Sequence, residues 1–329
     1  MTTKPILTAT KNILPGLLMS IVIALAAVSL TEHYGGPVML MALLLGMALN
    51  FLSEEGKCVV GIDFAAKRVL QLGVVLLGLR ITYADMVDLG LTTILLTCAG
   101  VLTTIVCGLA IARVFGLSRN FGLLTGGAVA ICGASAAMAI SAVLPNYENK
   151  ERDTIFTVVA VTTLSTLAMV LYPLIVSYLG FDHRSAGIFL GGTIHDVAQV
   201  VGAGYTVSTE TGDVGTLTKM LRVALLVPVV SLVYWTCHKK GTSKTNPLKS
   251  MPIFLVGFVL LAVVNSFGWV PEAPKAQLID LSRGILITAI AALGMKSSLK
   301  QFAAVGRSAI ALVVVETIFL ATLFAVSLS

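Results

Sequence analysis

Charge is what this chain has least of. Asp, Glu, Lys and Arg make up only 12% of its 329 residues, about half the share usual in soluble domains. Hydrophobic residues make up 57%, and the mean hydropathy is +0.97. Polar sequence is equally scarce. The longest polar stretch, His238 to Ser250, is too short to fold alone. No soluble appendage is expected, and residues 1–329 read as a single integral membrane domain. The five cysteines (Cys58, Cys98, Cys107, Cys132 and Cys237) are scattered without metal-ligand spacing, so neither zinc nor a disulfide framework is expected. No Walker A pattern is present, so ATP is not the direct energy source and no cofactor is needed. The net charge of +6 is dispersed through short loops instead of gathered on one face, which argues against a nucleic-acid partner.

What the chain does have is a succession of apolar runs: 13–30, 37–52, 69–86, 90–112, 121–144, 154–179, 185–207, 217–237, 251–268, 278–295 and 303–328. Several lie near the minimum of ~17 residues for a helical crossing. They predict an all-α polytopic membrane protein with about eleven transmembrane helices. Lys4 and Lys11 precede the first run without a small-x-small cleavage site, so it reads as a span and not as a signal peptide.

With the N-terminus inside, the inner loops hold Lys4, Lys11, Lys57, Lys67, Arg68, Arg113, Arg119, Arg184, Lys239, Lys240, Lys244, Lys249, Lys296, Lys300 and Arg307. The outer loops hold Arg80, Lys150, Arg152, Lys219 and Lys275, while Arg222 and Arg283 fall within spans. The bias predicts an odd number of spans, with N-terminus inside and C-terminus outside. Gly56 to Arg68 reads as a surface helix, with Val59, Val60, Ile62 and Phe64 set against Lys57, Asp63, Lys67 and Arg68.

Two span ends echo each other. Residues 74–80 close in Leu-Gly-Leu-Arg and residues 290–296 in Leu-Gly-Met-Lys, seven crossings apart and so in opposite directions. Antiparallel copies are what an inverted-repeat transporter produces, with repeat-like segments around 69–86 and 278–295. The competing reading is that Arg80 and Lys296 simply snorkel at span ends.

Ionisable groups inside a span are costly and tend to mark a pathway or a site. The seventh run contains Gly191-Gly192-Thr193-Ile194-His195-Asp196-Val197-Ala198-Gln199. The glycine pair predicts a break that frees backbone amides and starts a new half-helix near Thr193, whose positive end attracts anions. If the helix resumes there, His195, Asp196 and Gln199 share a face. The fifth run, Gly126-Gly127 through Cys132-Gly133-Ala134-Ser135, is nearly all small residues. Exposed amides around Cys132, Gly133 and Ser135 would suit oxyanion oxygens, and a tight packing interface without ligand is the competing reading. Lys219 and Arg222 lie one turn apart at the start of the eighth run, and Arg222 is a candidate anion ligand. Asp280 and Arg283 are expected to form an intramembrane ion pair. Asn265 and Glu316 are further polar intruders that could be structural.

Taken together, the motifs at 126–135, 191–201, 219–223 and 293–296 resemble the YeiH-type bacterial inner-membrane proteins. These are conserved hypothetical membrane proteins with a provisional name as sulfate exporters. The resemblance covers essentially the whole chain. The family commonly has glutamate directly after the histidine, where this chain has Asp196. The resemblance implies a bacterial inner-membrane location and a small-anion substrate class. It also implies kinship with inverted-repeat secondary transporters that have unwound helices at the core.

The expected function is thus secondary transport of a small inorganic or organosulfur anion, sulfate or sulfite first. The expected site comprises Gly126, Gly127, Cys132, Gly133, Ser135, Gly191, Gly192, Thr193, His195, Asp196, Gln199 and Arg222, with His195 and Asp196 responding to protonation. Its partners are the anion and the lipid bilayer, and a homo-oligomer is compatible with the sequence. The alternatives are an anion channel and an intramembrane hydrolase with Ser135 as nucleophile and His195 as base.

Overall fold

The computed structural model describes residues 4–237, 252–297 and 307–329. Lys239, Lys240, Lys244, Lys249 and Lys300 lie outside the described residues, as does the start of the eleventh run.

The described residues form helices joined by short links. In order these are α1 (Lys4–Tyr34), α2 (Val38–Ala48), α3 (Val59–Phe64), α4 (Leu70–Leu77), α5 (Tyr83–Asp88), α6 (Gly90–Val114), α7 (Arg119–Ala130), α8 (Ala134–Val143) and α9 (Lys150–Tyr178). There follow α10 (His183–Thr193), α11 (Val197–Val207), α12 (Thr209–Ala224), α13 (Leu226–Cys237), α14 (Ile253–Ser266), α15 (Glu272–Lys296) and α16 (Arg307–Leu328). Six stretches are long and apolar enough to cross a membrane: Asn12–Tyr34, Gly90–Val114, Lys150–Tyr178, Thr209–Thr236, Glu272–Lys296 and Ser308–Leu328. Shorter apolar helices include α2, α8, α11 and α14.

The chain divides into two compact units. The first comprises residues 1–86, 205–207 and 256–298. Here Val59–Leu77 is continuous helix, with a wide π turn at Ala65–Val69 joining α3 to α4. The expected surface helix is therefore the first part of a longer one. Gly61 sits directly against Gly16 of α1, with no room for a Cβ on either. Ile62, Ala65 and Ala66 are buried. Of the apolar residues expected to face lipid, Ile62 packs on protein, Val59 and Phe64 are half-buried, and Val60 stays exposed.

The two echoing ends are built alike. Gly294 of α15 packs against the Leu43 carbonyl and Gly46 of α2, and Gly78 packs against the Phe258 carbonyl of α14. Asn50, just after α2, donates to the carbonyls of Met295 (2.6 Å) and Ser297 (3.3 Å). Asn265, near the end of α14, donates to the Ile81 carbonyl (3.0 Å). Each Asn side chain thus satisfies carbonyls that a helix end leaves free. Lys296 pairs with Asp63 instead of only snorkelling, and the Arg80 guanidinium lies 5.5 Å from the Tyr205 ring centroid. Asp280 and Arg283 are both exposed and form no ion pair with each other, because α15 turns that face away from its packed side.

The second unit comprises residues 87–204, 208–255 and 299–329. Glycines let its helices approach closely. Gly108 on α6 meets Gly122 and Gly126 on α7, and Gly191 on α10 meets Gly215 on α12. The Phe324 ring of α16 fills the space beside Gly100 and Gly192. Without side chains at these positions backbones come within van der Waals reach, which is how helices associate tightly in lipid.

Candidate functional site

Two helical runs of the second unit are interrupted, and the interruptions meet. The first run stops at Ala130 and resumes as α8 at Ala134, through Ile131, Cys132 and Gly133. Gly133 has φ 62° and ψ −122°, a backbone that L side chains rarely adopt. The second run stops at Thr193 and resumes as α11 at Val197, with Ile194 and Asp196 in extended conformation. A Cβ on Gly133 would lie 3.5 Å from the Cβ of His195, so the fifth and seventh runs touch at their breaks.

The breaks fall later than the glycine pairs predict. Gly126 and Gly127 lie inside α7, and Gly191 and Gly192 inside α10. Their role is packing: a Cβ on Gly127 would collide with Ile140, one on Gly191 with the Gly215 carbonyl, and one on Gly192 with the Phe324 ring. Thr193 is still helical and donates to the Phe189 carbonyl one turn back (2.6 Å).

A helix that ends inside the protein leaves carbonyls without amide partners, and these ends carry partial negative charge. Lys219 and Arg222 of α12 supply the donors. Lys219 Nζ donates to the Ile131 (2.7 Å) and Ile194 (2.8 Å) carbonyls. Arg222 donates from Nε to Ala130 (2.9 Å), from Nη2 to Val129 (2.8 Å), and from Nη1 to Gly191 (3.1 Å) and Ile194 (3.0 Å). Both side chains are buried, at 0% and 1% exposure. Arg222 is therefore largely committed to backbone, and Lys219 is no outer-loop residue. Hydropathy left residues 208–216 between the seventh and eighth runs because they are polar. Residues 209–216 form the first turns of α12 instead, capped by Ser208, which accepts from the Thr211 amide (3.1 Å).

The two resumed helices differ at their N-terminal ends. Asp196 caps α11 by accepting from the Ala198 amide (2.8 Å), while its own amide donates to Ser165 (3.0 Å). The first turn of α8 has no side-chain cap, and Ser135 there is exposed. His195 lies in the break, off any helical face, and is buried. Its Nε2 is 3.0 Å from Thr317 Oγ1 on α16. Since Thr317 donates to the Val313 carbonyl (2.8 Å), it accepts from His195, leaving Nδ1 without a partner. Gln199 donates to Thr166 (2.9 Å), and its Oε1 is also unpartnered. Ser135 and His195 share no hydrogen bond, so the dyad of a hydrolase is not formed here.

Cys132, Gly133, His195 and Arg222 thus come together at the crossing, joined by Lys219, while Ser135 marks the adjoining turn of α8. Lys219, Thr317 and Glu316 are the side chains the sequence reading undervalued. The one-turn spacing of Lys219 and Arg222 was the available signal for the first. A lone carboxylate in the middle of the last apolar run was the signal for Glu316.

Comparison with known proteins agrees with the motif set. The family model described as "Conserved hypothetical protein 698" matches residues 15–314. The chain is 52% identical over 312 residues to a UPF0324 membrane protein of Chlorobaculum tepidum, covering 94% of this chain and 87% of that one. It is 53% identical over 310 residues to a UPF0324 membrane protein of Rhizobium meliloti, covering 93% and 90%. It is 50% identical over 318 residues to the UPF0324 membrane protein TauZ of Paracoccus denitrificans, covering 95% and 94%. The chain therefore belongs to the UPF0324 family of membrane proteins, whose model carries the name conserved hypothetical protein 698.

Proposed function

We propose that this protein is a secondary transporter, with export the favoured direction, for a small anion of the sulfate or sulfite type, organosulfur anions being of the same class. It would sit in the bacterial inner membrane with about eleven spans, its N-terminus cytoplasmic and its C-terminus periplasmic. The observation that carries this reading is an imbalance of charge at the crossed breaks. Two buried cations, Lys219 and Arg222, face the C-terminal ends of two half-helices. Those ends offset roughly one positive charge between them. The N-terminal end of α11 is matched by Asp196, whereas that of α8 has no side-chain cap. About one positive charge is left for an anion to neutralise.

The first-turn amides of α8, with the Ser135 hydroxyl, are the proposed oxyanion contacts. The matched construction at Asn50 and Asn265 supports inverted repeats, and with them alternating access. Geometry gives less support to coupling through His195 or Asp196. A proton on His195 would bring a third positive charge beside two cations, and the Asp196 carboxylate is engaged with the Ala198 amide.

The test is a thermal-shift screen of purified protein against sulfate, sulfite, thiosulfate, bicarbonate, taurine and simple carboxylates. It is followed by counter-flow of any hit in proteoliposomes. A ligand of the folded state raises the melting temperature by mass action. Saturable counter-flow that a bulky Ser135→Leu substitution abolishes, with folded yield kept, supports the reading. Ohmic currents would establish a channel, and neither shift nor flux for any anion would overturn anion binding altogether.

A further inference from the structure

Glu316 lies midway along α16 and is fully buried, at 0% exposure. One carboxyl oxygen, Oε1, lies 2.8 Å from Thr125 Oγ1 of α7, a hydroxyl that also reaches the Phe121 carbonyl (3.1 Å), and the other, Oε2, has no partner. Gly108 on α6 makes the space, since a Cβ there would collide with Oε1. Among the described residues no cation forms an ion pair with it. The facing titratable groups are few. On α6 there is the Cys107 thiol, and beyond α10 the His195 imidazole, reached through Thr317, the next residue along α16. The charged side chains of α7, α9 and α10 are confined to their first turns: Arg119; Lys150, Glu151, Arg152 and Asp153; His183 and Arg184. Lys219 and Arg222 on α12 are spent on carbonyls.

An ionised carboxylate costs a great deal in such a place unless it is paired. The group therefore stands as a neutral acid, its O–H on Oε1 donating to Thr125 Oγ1, whose own proton goes to the Phe121 carbonyl (3.1 Å), with no cation or second donor to hold an ionised form at Oε2. A structural hydrogen bond to Thr125 needs only an amide or a hydroxyl, so an acid at this depth calls for another explanation.

We propose that Glu316 is a proton-carrying site coupled to the anion site. In the neutral state it leaves the surplus positive charge at the crossed breaks for the anion, and in the ionised state it sets a negative charge beside Thr317, which holds His195 in the break, and competes with the anion. Proton and anion therefore favour each other's binding and move in the same direction. In the cycle the carboxyl O–H bond breaks and the proton passes to water on one side. The carboxylate then takes a proton from water on the other side. No electrons are transferred and no further reactant is needed. The coupling rests on the transport reading, but the protonation state does not.

Two measurements separate these. The infrared difference between wild type and Glu316→Gln at neutral pH should contain a protonated-carboxyl band, and a carboxylate band in its place overturns the proposal. Should the variant fail to fold, ¹³C-glutamate-labelled wild type titrated with acid and base reads the same band. In proteoliposomes holding the dye pyranine, a sulfite or sulfate gradient should drive protons across with the anion. Glu316→Gln should abolish that proton movement, although Gln preserves every neutral hydrogen bond. Wild-type proton flux in Glu316→Gln overturns the proposal. If wild type moves no anion, the transport reading fails while the infrared band still decides the proton site.

Discussion

Arg222 donates to the carbonyl of Ile194 at 3.0 Å, and Ile194 is the residue that leads into His195. The same carbonyl accepts from Lys219 at 2.8 Å. One oxygen is thus shared by two cations, each of which also reaches the other broken run.

Arg222→Gln should lower stability strongly, since buried carbonyls left without donors cost about 1–3 kcal/mol each. Lys219→Met should do the same to a lesser degree. Because both act on Ile194, the double variant should lose less than the two single losses combined. Thermal unfolding in detergent reads this, and an unchanged melting temperature for Arg222→Gln would show that the carbonyls need no cap.

Gly133→Ala tests the hinge of the first break. Nothing stands nearer than 3.5 Å to the added methyl, so the penalty is conformational and not a clash. A positive φ on a residue with a side chain costs about 1–3 kcal/mol. Gly191→Ala has a normal helical backbone but collides with the Gly215 carbonyl. Both should be destabilised, and compensating substitutions at Thr218, whose side chain also crowds that site, should rescue neither. Equal stability of Gly133→Ala and wild type in a melt would argue that the break has another geometry.

Asn265→Ala should cost about 1–3 kcal/mol, because it removes the side-chain donor to the Ile81 carbonyl. Asn50→Ala should cost less, because Ser53 Oγ still donates to the Met295 carbonyl (2.7 Å). Melting temperatures read the order, and a larger loss for Asn50→Ala would show that Ser53 does not serve that carbonyl.

Asp182 lies in the link before α10, where it accepts from the Ser185 amide at 2.7 Å. Hydrogen bonds from the Ser185 side chain and amide hold its carboxyl below the usual aspartate value. A carboxylate depressed by folding stabilises at neutral pH, and that contribution fades as pH falls through its folded pKa. Asp182→Ala should therefore destabilise slightly at neutral pH, and the gap to wild type should close in acid. A gap that widened in acid would contradict the sign.

A tag placed after Ser329 should be reached by a membrane-impermeant reagent from the periplasmic side in whole cells. Labelling only after the inner membrane is breached would reverse the orientation.

The helical runs were legible because apolar length in a membrane chain has few alternatives to helix. Each of the eleven runs contains helix where it is described. The break positions were harder to read, because glycine serves two ends. Gly191 and Gly192 look like a break but give room to Gly215 and Phe324, while the single Gly133 carries the unusual backbone. The partners of Lys219 and Arg222 could not be read at all. They are main-chain oxygens, which every residue type possesses, and only the fold decides which ones end a helix.

Six charge-assisted hydrogen bonds from one stretch of α12 hold Val129, Ala130, Ile131, Gly191 and Ile194. Pulling the two unwound segments apart would strip all of them in a medium that offers no replacement. The crossing and its two anchoring cations must then ride as one rigid cradle. On the transport reading proposed above, any opening to one face of the membrane and then the other would happen around that cradle, its inner seams staying closed.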